Sequence, residues 1–128
     1  MIIELMDGTQ IVNVRNVYGG PKLIDGVVRD TLRIEIDISE SIEDIENILF
    51  NNPNTMKMYT FNTIINDDKS VTEEKVLMCE GYNIGVYIKK VEKVIPHKPG
   101  FLLPDEKIEI IEVMMAQLTY DEYINGGD

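Results

Sequence analysis

The sequence predicts an α+β fold that is mainly β, with antiparallel sheets forming a small sandwich or barrel-like core. One short helix is expected at about residues 41–51, and a short helical turn at the C-terminal end. Three stretches carry this expectation. Leu32, Ile34, Ile36 and Ile38 alternate with Arg33, Glu35 and Asp37, the two-residue period of a strand with one face on a core and one in water. Lys107 to Leu118 (KIEIIEVMMAQL) is the longest run that reads as one buried strand. Ile42, Ile45, Ile48 and Leu49 instead fall on one face of a helix.

The chain has 128 residues, the size of a single domain spanning 1–128. Its hydrophobic fraction of 44% and charged fraction of 27% are those of a folding chain, even though 23 acids against 12 bases leave a net charge of -11. A surface of that sign repels phosphate backbones, so direct nucleic-acid binding is not expected. It instead keeps a protein soluble or meets a basic patch on a partner. Cys79, the single cysteine, forms no intrachain disulfide and reads as a small buried hydrophobe in a reducing compartment. No export signal and no membrane-spanning run is read in the chain, so synthesis and use without export, and no membrane contact, are expected.

Taken in order, Ile2 to Met6 and a return strand from Ile11 to Tyr18 flank Asp7-Gly8, a hairpin turn signal because glycine takes positive φ without steric cost. Gly19-Gly20-Pro21 should break that strand as a turn. It lacks the Lys-Ser/Thr ending and following helix of a phosphate loop. After the Leu32–Ile38 strand, Ser39 or Ser41 can cap the helix, with Asp44 three residues beyond Ser41 and Glu43, Asp44 and Glu46 near the positive end of its dipole. Asn51-Asn52-Pro53-Asn54 ends it.

Met56 to Ile64 is rich in β-formers, Asn66-Asp67-Asp68-Lys69 is a polar hairpin tip, and Ser70 to Cys79 returns as a strand. The adjacent acids Asp67-Asp68 and Glu73-Glu74 do not have the alternating ligand spacing of a calcium loop. Gly81 to Ile88 continues extended, with Gly81 and Gly85 as points of a bulge or close approach and Tyr82, Ile84, Val86 and Ile88 on one face. Lys89, Lys90, Lys93 and Lys98 read as a solvated strand end that can also meet acids of a neighbouring copy. Pro96 to Gly100, with Pro104, is a stiff loop, and His97 within it is a surface residue. In the last strand both faces carry apolar atoms, so it should lie centrally in a sheet or between sheets. Thr119 can then cap a short helical turn through Tyr123 that stops at Gly126-Gly127.

No nucleophile, base and orienting group stand together in the sequence, so an enzyme is not expected, nor a cofactor or metal. One resemblance bears on function. The early Asp7-Gly8 turn, Arg29-Asp30-Thr31-Leu32-Arg33-Ile34-Glu35-Ile36, the short acidic helix, Cys79-Glu80-Gly81-Tyr82-Asn83 and the closing Val113-Met114-Met115-Ala116-Gln117-Leu118-Thr119-Tyr120-Asp121-Glu122 follow one another in a familiar order. The chain resembles small tail-region or virion-associated proteins of tailed phages and prophages of Gram-positive bacteria. In these an R-x-T-L strand, a G-Y-T-like strand and a terminal M-A-Q-x-T-Y-x-E segment recur in that order. It departs at Asn83, where the family tends to have Thr, and in the proline-rich loop.

The resemblance implies a virion component of the tail, baseplate or capsid, made in the host cytoplasm and then part of the particle. It would assemble as an oligomer with other phage structural proteins or copies of itself, using the terminal strand and its tail as a docking edge. A phage-encoded inhibitor whose acidic surface fills a basic, nucleic-acid-binding groove of a host protein is the alternative. The residues expected to make protein contacts are Glu43, Asp44 and Glu46 on the helix, and Gln117, Thr119, Tyr120 and Tyr123 at the end of the chain.

Overall fold

A computed structural model describes residues 1–38, 41–96 and 105–118. Its eight strands form four successive hairpins that alternate between two antiparallel four-stranded sheets. In the first sheet, β1 (Ile3–Glu4) and β2 (Gln10–Ile11) join β5 (Lys57–Ile65) and β6 (Val71–Glu80) in the order β2-β1-β5-β6. The second has the order β3-β4-β8-β7, from β3 (Val14–Ile24), β4 (Val27–Asp37), β7 (Tyr82–Ile95) and β8 (Glu106–Gln117). The fold is thus mainly β, and the sheets do not close into a barrel.

The core draws on both sheets and on the helix α1 (Ile42–Leu49). Ile3 and Met58 come from the first sheet, Leu5 from the turn after β1, Leu32, Ile34, Ile36, Ile111, Val113 and Met115 from the second sheet, and Ile45 and Leu49 from α1. Ser41 caps α1 by accepting the Asp44 amide at 3.1 Å, which satisfies one of the otherwise orphaned N–H groups of the first turn. Asn51 takes φ 54, and Pro53 opens a 3-10 turn at Pro53–Met56.

The alternating run in β4 buries Leu32, Ile34 and Ile36, while Ile38 lies just past the strand and is exposed. β8 lies between β4 and β7 in the sheet, and both of its faces are buried. Ile111, Val113 and Met115 enter the main core, while Ile110, Met114 and Ala116 are buried on the opposite face.

Two expectations are corrected. Gly19-Gly20-Pro21 is not a turn: β3 runs through it to Ile24, with Gly19 opposite Leu32 and Pro21 opposite Asp30. β3 is an edge strand, where a residue without an N–H is tolerated, and the reversal comes later at Asp25 (φ 49) and Gly26 (φ 79). In β7, register shifts at Tyr82/Ile84 and Gly85/Tyr87 break the expected common face. Tyr82 and Ile88 belong to the core, whereas Ile84 pairs with Ala116 on the other side. Gly85 is a point of close approach, because a Cβ there would lie 2.4 Å from Cγ of Phe50. The proline-rich loop with His97 and the helical turn after Thr119 lie outside the described residues.

Candidate interaction surface

The predicted contact residues fall in different places. Glu43, Asp44 and Glu46 are exposed on α1, and none makes an ion pair with a described residue. Gln117 is engaged inside the chain: its Nε2 donates to the Glu80 carbonyl at 2.9 Å, and its own carbonyl accepts from Arg29 Nη1 at 3.1 Å. It ties the end of β8 to β4 and to the end of β6 in the other sheet. Thr119, Tyr120 and Tyr123 lie outside the described residues. β8 itself is hydrogen-bonded to β7 along its length and to β4 from Ile110 to Ala116, so over that stretch it is an interior strand, while the tail expected to dock with it lies outside the described residues.

Among the described residues, free edges belong to β2, β3, β6 and β7, the outermost strands of the sheets, and to β5 beyond Tyr59. β2 has two residues, and β3 carries Pro21, which lacks the N–H that an added strand would need. β7 packs in part against α1 and the 3-10 turn and carries Lys89, Lys90 and Lys93. β6 has ten residues and no proline. Its hairpin partner β5 meets β1 through a single residue pair, Tyr59 with Glu4, so from Thr60 onward the two strands pair only with each other among the described residues. The fourteen consecutive residues 62–75 are all exposed, the signature of a ribbon that leaves the body of the protein.

On the ribbon face that carries Tyr59, the residues Phe61, Thr63 and Ile65 lie opposite Lys75, Glu73 and Val71. Ile65 is 74% exposed, Val71 63% and Leu77 50%. Lys75 holds its ammonium 4.5 Å from the Tyr59 ring centroid and pairs with Glu4. That ammonium and the Gln10 amide hold the Glu4 carboxyl below its usual pKa. The Glu73 carboxylate accepts from Thr63 Oγ1 at 3.1 Å.

The outward face of the second sheet is polar but internally satisfied. Glu35 accepts from Lys93 Nζ at 2.7 Å, Asn16 Nδ2 at 2.9 Å and Tyr18 Oη at 3.0 Å. Burial raises its pKa, but these donors outweigh burial and leave the carboxyl below its ordinary value. Beside it, Tyr87 Oη donates to Glu112 at 2.9 Å, and Arg33 lies 5.0 Å from the Tyr18 ring centroid while pairing with Glu112 at 3.4 Å. Saturated in this way, the lattice covers Ile110 and Met114 and offers few free groups. The period-two pattern placed Glu35 on the water side without showing that its neighbours would close over it.

Burial pushes the Cys79 thiol up to about 11, which leaves it protonated and unreactive at neutral pH. Among the described residues, no three His, Cys, Asp or Glu side chains come together as a metal site. A shallow pocket of about 90 Å³ beside Tyr18, Pro21 and Arg33 is too small for an ordinary ligand, and a larger open depression of about 380 Å³ is lined by Met6, Met56, Lys57, Glu80 and Gly81. Among the described residues no helix is long and apolar enough to cross a membrane. Compared with protein-family models, with curated proteins and with solved structures, the chain gives no match.

Proposed function

We propose that this protein is a structural interaction protein, a small virion component of the tail, baseplate or capsid of a tailed phage. It assembles through protein-protein contacts with copies of itself or with neighbouring virion proteins. The phage context rests on the sequence resemblance. The structural observation that supports assembly is the β5–β6 ribbon, exposed over residues 62–75 and ending the sheet in a free, proline-free strand. A soluble monomer has little use for an isolated two-stranded hairpin, which is marginally stable in water without a neighbour. Edge strands are a ready means of joining subunits.

Mass spectrometry of purified particles of the parent phage tests the proposal. The protein should be present in stoichiometric amount, and its absence would refute the structural role. The exposed acids of α1 favour one second function, an acidic inhibitor of a basic host groove. In that case a triple substitution of Glu43, Asp44 and Glu46 to Gln, Asn and Gln should abolish co-purification with a basic host protein, and undiminished capture would exclude it.

A further inference from the structure

We infer that β6 is a self-pairing edge. Two copies of the chain join antiparallel about a two-fold axis at Glu74, with Glu73 of each copy opposite the partner's Lys75, and Val71 opposite the partner's Leu77. The inference rests on the proposed assembly function and names the surface through which it occurs.

Hydrogen-bond alternation comes first. The Asn66 amide donates to the Ser70 carbonyl at 2.9 Å and closes the hairpin. Counting down the ladder from that rung, the bonded pairs are Ile64 with Thr72, Asn62 with Glu74 and Thr60 with Val76. The residues between them on β6, namely Val71, Glu73, Lys75 and Leu77, therefore direct their N–H and C=O groups away from β5. Among the described residues nothing pairs with that edge. The same four side chains share one face of the ribbon.

Sequence then selects the partner. Along the edge these residues read apolar, acidic, basic, apolar. Reversing that order and laying it beside itself puts apolar against apolar and acid against base at all four positions, the self-complementarity that a two-fold contact requires. Sliding the register by two residues in one direction sets Lys75 against its own copy, and in the other sets Glu73 against its own copy. Both put like charges directly opposite, which is destabilising. A lysine on an exposed edge ordinarily guards against pairing, yet in the proposed register it meets a carboxylate. The axis residue Glu74 faces its own copy on the other side of the ribbon, so the contact carries one built-in repulsion. The paired stretch spans about 20 Å, and the contact closes at two copies instead of growing into a filament.

Sedimentation velocity and light scattering of the full chain, from about 1 to about 500 µM, test this. The wild type should show a concentration-dependent monomer–dimer equilibrium. Glu73→Lys and Lys75→Glu, each confirmed folded by circular dichroism, should each weaken the dimer at least about tenfold, because each turns both acid-base pairs into like-charge pairs. An equimolar mixture of the two variants should form a heterodimer, since the substituted Lys then faces Glu and the native Lys75 faces the native Glu73. Glu74→Gln should tighten the dimer by about three- to tenfold.

A dimer indifferent to Glu73→Lys and Lys75→Glu would overturn this edge and leave assembly itself standing. A wild-type monomer at every concentration would overturn the self-pairing, and the particle measurement would then decide the wider function separately. Two variants that stay monomeric when mixed would also overturn the register. Lys75 pairs with Glu4 in the monomer, so Lys75→Glu carries some risk to folding. Should it fail to fold, Glu73→Lys and Glu74→Gln, both at exposed positions, must still shift the equilibrium in opposite directions.

Discussion

Replacing Gly85 by Ala sets a methyl group against the ring of Phe50. The added Cβ would lie 2.4, 2.5 and 2.7 Å from Cγ, Cδ2 and Cδ1 of that ring, where carbon atoms ordinarily keep about 3.5–4.0 Å. Gly85 does not have the positive φ that only glycine tolerates well, so Gly→Ala would by itself stabilise by about 0.4–1 kcal/mol through the unfolded chain. Overpacking costs about 1–3 kcal/mol and outweighs that gain, leaving a net loss of about 1–2 kcal/mol. An unfolding entropy of about 2.1 cal/mol/K per residue over 128 residues comes to about 0.27 kcal/mol/K, so the melting temperature should fall by about 4–7 °C. Thermal unfolding followed by circular dichroism measures this. The same substitution made in a Phe50→Ala background, where the ring is gone, should cost nothing or stabilise. A Gly85→Ala protein that melts at or above the wild-type temperature would refute the steric account, as would an equal loss in both backgrounds.

Two further outcomes follow from single contacts. Ser41→Ala removes the acceptor of the Asp44 amide and should destabilise by about 0.5–2 kcal/mol in urea titration, whereas Ser41→Gly should cost only a few tenths. Glu35→Gln should cost about 1–2 kcal/mol, a value reduced because the Lys93 side chain is 35% exposed. Glu35 also has a depressed pKa in the folded protein, so its contribution is complete above the usual 4.5 and is lost as pH falls through the lower folded value. The urea midpoint of the wild type should therefore drop as pH falls below about 4.5, and Glu35→Gln should make that drop shallower.

Local patterns were the most legible. The alternation in β4, the helical spacing of Ile45 and Leu49, and the polar tip from Asn66 to Lys69 each depend on neighbours in sequence, and each appears where the pattern put it. The two apolar faces of β8 likewise marked a central strand. What was not legible depends on partners distant in sequence. Pro21 reads as a breaker until β3 is known to be an edge, and the common face of Tyr82 to Ile88 holds only until two bulges shift the register. Of the site, the exposed acids of α1 could be read directly. Gln117 could not, because its partners Glu80 and Arg29 lie 37 and 88 residues away. The edge of β6 was hidden for a related reason: Glu73 and Lys75 gain meaning only once the ladder shows which way their backbone groups point.

The alternation of hairpins between the sheets has a consequence for how the chain reaches this state. Each hairpin is a local structure, and such units close in about 1–10 µs. Sheet assembly is different, because β4 is held on its far side by β8, with Thr31 against Ala116, and β1 reaches β5, with Glu4 against Tyr59. Neither sheet can be completed from the first half of the chain, and a nascent chain that stops before β8 holds every strand of the first sheet but lacks the strand that joins β4 to β7. Joining the late β7–β8 hairpin to β4 is therefore expected to limit the folding rate, because the loop-closure entropy of that long-range pairing must be met before its contacts form.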